Sequence, residues 1–156
     1  MLRSILSIVV GYFAMAAFVM LGLFAPARFL PELVFQRDAL AVTPAFLAYS
    51  LVMGFVAAML GGFVAAVIAG KTARWPVKAL AGLVLVLGLA LAIGGLFQPE
   101  ANVSAEEVAR MSVQERMPLQ RQPTWYAFLL PFLGSGGVMA GGWLRRRAAV
   151  SKPSDA

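Results

Sequence analysis

Catalysis needs side chains that can hold a proton, a metal or a reactive electron pair, and this sequence supplies few. It has no Cys and no His. Disulfides, thiolate nucleophiles, His-ligated zinc or haem, and Ser-His or Cys-His pairs are therefore excluded. The densest ionisable group is Glu106, Glu107, Arg110, Glu115 and Arg116. Glu106 and Arg110 are four apart, a spacing that steadies an exposed helix by charge pairing. With no nucleophile or metal cluster beside them, these residues read as a solvated face. No general base emerges, so no enzyme is expected, and no cofactor or metal.

The remaining candidates are hydroxyls set in apolar surroundings: Ser7, Tyr12, Tyr49, Ser50, Tyr126 and Ser135. Such groups are expected to bond a nearby carbonyl or a neighbouring helix. They lie in four apolar runs, residues 5–25, 45–70, 77–97 and 125–144, whose one charged residue is Lys78 at the edge of the third. Each run holds about 20 residues or more, which at ~1.5 Å per residue crosses a ~30 Å hydrocarbon core. Hydrophobic residues make up 61% of the chain and charged ones 13%, against about 45–50% and 25% in soluble domains. Backbone polar groups in lipid must be satisfied within the segment, so the runs are predicted to be helices. The expected fold is all-α, a single four-helix integral membrane bundle. Proton-coupled transport usually uses an intramembrane carboxylate, and none of the runs contains one.

Charge predicts the orientation. With four spans both termini share one side, which carries Arg3, the turn 71–76 with Lys71 and Arg74, then Lys78, and the tail 145–156 with Arg145, Arg146, Arg147 and Lys152. Asp155 is the one acid there. The loops 26–44 and 98–124 carry Arg28, Arg37, Arg110, Arg116 and Arg121 against Glu32, Asp38, Glu100, Glu106, Glu107 and Glu115. The Lys/Arg bias predicts cytoplasmic termini. Arg145, Arg146 and Arg147 beside Trp143, with Trp75, Lys71 and Arg74, read as an anchor on anionic lipid headgroups and not as a nucleic-acid patch. The first run exceeds the usual ~7–15 residues of a signal-peptide core, and Pro26 interrupts the Ala25-Pro26-Ala27 cleavage pattern, so a retained span is expected. Asn102-Val103-Ser104 reads as a chance match to a glycosylation acceptor.

Proline and capping residues predict the boundaries. Pro26 is expected to follow the first span, Thr43-Pro44 to open the second, Pro76 the third and Pro123-Thr124 the fourth, with Pro131 kinking the last. The short turn 71–76 predicts an antiparallel hairpin of spans 2 and 3. Residues 26–44 mix apolar and charged side chains in a way that suggests a segment lying on the membrane face. Ser104 and Glu107 make a capping box opening one short amphipathic helix over about 104–116.

Small residues mark the packing surfaces. Gly54, Ala58, Gly62, Ala66 and Gly70 recur every fourth residue, with Ala57, Gly61, Ala65 and Ala69 beside them. In lipid, helices associate through close backbone contact at such residues. Span 4 offers Gly137 and Gly141 one turn apart, so spans 2 and 4 are the expected close pair.

Gly61, Gly62, Phe63, Ala65 and Ala66, then Pro123, Trp125, Tyr126, Gly141, Gly142, Trp143, Leu144 and Arg145, carry a resemblance over most of the chain. A Gly-Gly-aromatic-x-Ala-Ala segment followed by a Pro-x-Trp-Tyr helix ending in Gly-Gly-Trp-Leu-Arg resembles small four-helix bacterial inner-membrane proteins of uncharacterised function. The resemblance implies fold and a bacterial inner-membrane location, and no activity. The expected role is a non-enzymatic structural or accessory subunit acting through helix packing, on another membrane protein or on its own copies. The alternative is a small oligomeric permease for a neutral or lipophilic solute.

Overall fold

The computed structural model describes residues 2–29, 34–35, 40–70, 74–97, 103–116, 119–120 and 122–150. Its helices, in chain order, are α1 (Leu2–Phe29), α2 (Pro44–Ala69), α3 (Arg74–Leu96), α4 (Ala105–Arg110), α5 (Val113–Arg116) and α6 (Thr124–Val150). Leu2–Pro26, Pro44–Ala69, Arg74–Leu96 and Thr124–Ala148 are each long and apolar enough to cross a membrane. The fold is all-α.

Helix ends follow local chemistry. Thr43 opens α2 by accepting the Phe46 N–H at 3.2 Å, and Pro44 fills a first-turn position where no donor is missed. Gly70 closes α2 with φ 71° while its N–H returns to the Ala66 carbonyl, a conformation glycine adopts without a Cβ penalty. Pro26, expected to end the first span, lies inside α1, which continues to Phe29. Pro26 has no N–H for the carbonyl four residues back. That carbonyl, Gly22 O, instead accepts the Tyr49 hydroxyl of α2 at 2.9 Å.

α2 and α6 form the central pair and run parallel, with α1 antiparallel on the other flank of α2 and α3 antiparallel on the other flank of α6. The hairpin expected of α2 and α3 holds only near its turn, because α6 occupies most of the space between them. α3 touches α1 and α2 narrowly, through the fully buried Leu80 and its neighbours Val77 and Ala81.

The opposite end has its own apolar cluster of Val34, Phe35, Val42, Phe46, Leu47 and Tyr126. Phe35 and Val42 form an antiparallel bridge, and the Thr43 N–H donates to Val34 O at 3.0 Å. Within 26–44, Val34, Phe35 and Val42 turn onto the bundle end while Phe29 is exposed. The single helix expected near 104–116 is two. The Ser104–Glu107 capping box is present, but a second one forms at Ser112, whose backbone N–H and hydroxyl donate to Glu115 Oε2 at 2.7 and 2.8 Å. The chain restarts there, and Met111 is extended.

Candidate functional site

The two files of small residues on α2 face two different helices. At Gly62 a side chain would collide with the Val138 backbone of α6, and at Gly141 with the Met59 carbonyl of α2. A side chain begun at Gly137 would stand 2.8 Å from both Ala58 Cβ and Phe55 O. Ala58, Ala66 and Val138 are buried in this seam. The second file meets α1. A side chain at Gly61 would stand 2.8 Å from Gly11 O, and one at Gly11 the same distance from Gly61 O and 2.9 Å from Ala65 Cβ. Only glycine permits this approach, in which the two backbones touch.

Two expected seam positions differ. Gly54 is peripheral, with the Leu130 side chain 3.8 Å from the place a Cβ would occupy. Gly70 is no packing residue. The helix ends before it, and the Arg3 side chain lies beside it while Arg3 Nε donates to Ile68 O at 2.7 Å. Arg3 thereby satisfies a carbonyl at the α2 C-terminus, where a cation is favoured.

Other close contacts have weaker sequence signals. Gly11 is an isolated glycine in an apolar helix. Gly88 accepts the Pro131 ring, 2.7 Å from a notional Cβ, Gly142 accepts Val77, and Gly134 meets Val84 at 3.0 Å. Pro131 thus sits within an unbroken α6 as a packing knob. Ser50 donates to Leu47 O at 2.9 Å, so the 2.5 Å contact between its Oγ and the Tyr126 hydroxyl is filled by the tyrosine donating. Ser7 donates to Ser4 O at 2.7 Å. The hydroxyls found bonded thus link helices or close on their own turn.

The expected anchor residues gather at the end formed by the starts of α1 and α3 and the finish of α6. The Arg147 guanidinium lies over the Trp143 ring at 3.9 Å, a cation–π distance. Arg74, Trp75 and Arg146 are exposed and Arg145 is half-buried, while Lys71 lies outside the described residues. The carboxylates among the described residues, Glu106, Glu107 and Glu115, all belong to the segment between α3 and α6 at the opposite end. Two capping boxes hold Glu107 and Glu115 there, and Ser112 hydrogen bonds keep the exposed Glu115 carboxyl below its ordinary value. Among the described residues no three His, Cys, Asp or Glu come together as metal ligands. No family model, curated protein or solved structure matches the chain.

Proposed function

We propose that this chain is an integral protein of a bacterial inner membrane with both termini in the cytoplasm, a structural or accessory subunit that works by helix packing without catalysing a reaction. One observation carries the reading. Small residues point inward, with Ala57, Ala58, Ala65 and Ala66 buried, while Leu6, Phe13, Leu21, Phe24, Val52, Val86, Leu91 and Phe132 point outward and exposed. Water would drive those large side chains inside, whereas lipid leaves them outside and selects close backbone contact within. Of the described cations, Arg3, Arg74, Lys78, Arg145, Arg146 and Arg147 share the end assigned to the cytoplasm and Arg28, Arg110 and Arg116 lie at the other, a bias in keeping with the positive-inside rule.

Contact of backbone with backbone at Gly62–Val138 and Gly11–Gly61 leaves no lined passage at those crossings, which favours the accessory role over the permease within one copy. Mild-detergent extraction of native membranes followed by pull-down tests the role. A second membrane protein in fixed ratio is the expected result. Recovery of this chain alone, together with solute flux in liposomes, would replace the accessory reading with the permease.

A further inference from the structure

The α3–α6 pair has an outer flank that the other described residues leave uncovered. Val77, Val84 and Gly88 of α3 meet Gly142, Gly134 and Pro131 of α6 and so fix the face each helix turns to the other. At roughly 100° per residue, Leu80 of α3 falls to one side of that seam, where it reaches α1. Gly137 and Gly141 of α6 fall to the same side, against α2. Arg74 and Lys78, one turn apart on α3, fall to the opposite side together with Trp143 and Arg146 of α6, and all four are exposed. Half-buried Arg145 lies on the inner side.

Three cations from two helices therefore converge at one end of this flank, beside a tryptophan of the kind that settles at headgroup level. Farther along it, Gly82 and Gly136 are exposed, with nothing within 4 Å of the position a side chain would take. They leave a low, apolar path along the flank, past the exposed Phe132 of α6. The charged end lacks a described carboxylate partner, and a phosphodiester with an attached hydrocarbon chain matches both the charge and the path.

We propose that this flank binds one anionic phospholipid, its phosphate held by Arg74, Lys78 and Arg146 and an acyl chain lying over Gly82 and Gly136. The assignment rests on the membrane reading above. It goes beyond general attraction to an acidic surface because it names one groove and excludes Arg145. Juxtamembrane cations each strengthen such binding by roughly fivefold, and the attraction weakens with salt.

The test uses the full chain released from nanodiscs containing phosphatidylglycerol and phosphatidylcholine, with retained lipid weighed by native mass spectrometry. Wild type should keep phosphatidylglycerol in preference. Arg74→Gln, Lys78→Gln and Arg146→Gln should each cost roughly fivefold in retention, and Arg145→Gln should cost little. Gly82→Leu with Gly136→Leu should cut retention with every charge in place. All of these positions except Arg145 are exposed, and unchanged thermal unfolding confirms that each variant is folded. Equal losses at Arg145 and at the three named cations, or retention indifferent to headgroup, overturn the site while leaving the membrane reading intact. A chain that stays dispersed without detergent and takes up neither lipid overturns both.

Discussion

The Tyr49 hydroxyl of α2 donates to the Gly22 carbonyl of α1 at 2.9 Å, the carbonyl that Pro26 leaves without a backbone donor. One side chain thus repairs a break in another helix's ladder. In lipid the alternative is an unsatisfied carbonyl. Tyr49→Phe should cost about 1–2 kcal/mol of stability. Pro26→Ala restores a backbone donor, so Tyr49→Phe should cost less in that background. A double-mutant cycle by thermal unfolding in detergent checks this, and strictly additive effects would refute the coupling.

Gly62 and Gly82 contrast in the same way. A methyl at Gly62 meets the Val138 backbone, whereas one at Gly82 meets open space. Gly62→Ala should destabilise by about 1–3 kcal/mol, the usual cost of overpacking, and Gly62→Leu should prevent the α2–α6 pair from closing. Gly82→Ala should be neutral or stabilising by up to about 1 kcal/mol through helix propensity. Melting temperatures in detergent decide, and equal behaviour of the two alanine variants would relocate the seam.

The Ser50–Tyr126 pair predicts an asymmetry. Ser50 keeps its bond to Leu47 O when Tyr126 becomes Phe, so Tyr126→Phe loses one hydrogen bond at about 1 kcal/mol. Ser50→Ala leaves a buried tyrosine hydroxyl without its acceptor and should cost more. The double variant should recover part of that loss. Unfolding of the three variants gives the order, and Tyr126→Phe proving the worst would contradict it.

The Ser112–Glu115 capping box should respond to acid. Hydrogen bonds from Ser112 lower the Glu115 carboxyl from its usual value of 4.5. A carboxylate lowered on folding contributes stability above its unfolded value and loses it as pH falls through the folded one. α5 should therefore be fully capped at neutral pH and fray below about pH 4.5. Amide exchange at Glu115 against pH reads this out, with Ser112→Ala as the variant in which protection is already low at pH 7.

Orientation is checked on a chain that lacks cysteine throughout. Ser104→Cys should react with an impermeant maleimide in spheroplasts, and Arg146→Cys only after the membrane is opened. The reverse pattern would invert the topology.

Much of the architecture was legible because the pattern is simple: long apolar runs give the four long helices, and small residues at four-residue spacing give the seam. The Gly62–Val138 and Gly137–Ala58 approaches follow that spacing. The partition of the two α2 files between α6 and α1 was not legible, since one isolated glycine, Gly11, completes the second seam. Ser112-x-x-Glu115 repeats the Ser104-x-x-Glu107 pattern eight residues later and carried the helix break in plain view. Pro26 misled because the compensating donor, Tyr49, lies 27 positions away in sequence from the carbonyl it serves. The inward turn of Val34 and Phe35 depends on Phe46, Leu47 and Tyr126 meeting at one end, a tertiary fact that local pattern does not encode.

The parallel pairing of α2 with α6 sets an order on biogenesis. A ribosome delivers α1 and α2 early, and these two can join at once through Gly11 and Gly61. The other face of α2 must wait until the last helix arrives, and α3, whose chief partner is also α6, waits with it. In the membrane setting we propose, the half-made chain until then carries a bare glycine face into the bilayer. Quality control that recognises such faces would see every truncated product as unfinished, and the C-terminal helix is the part that ends its exposure.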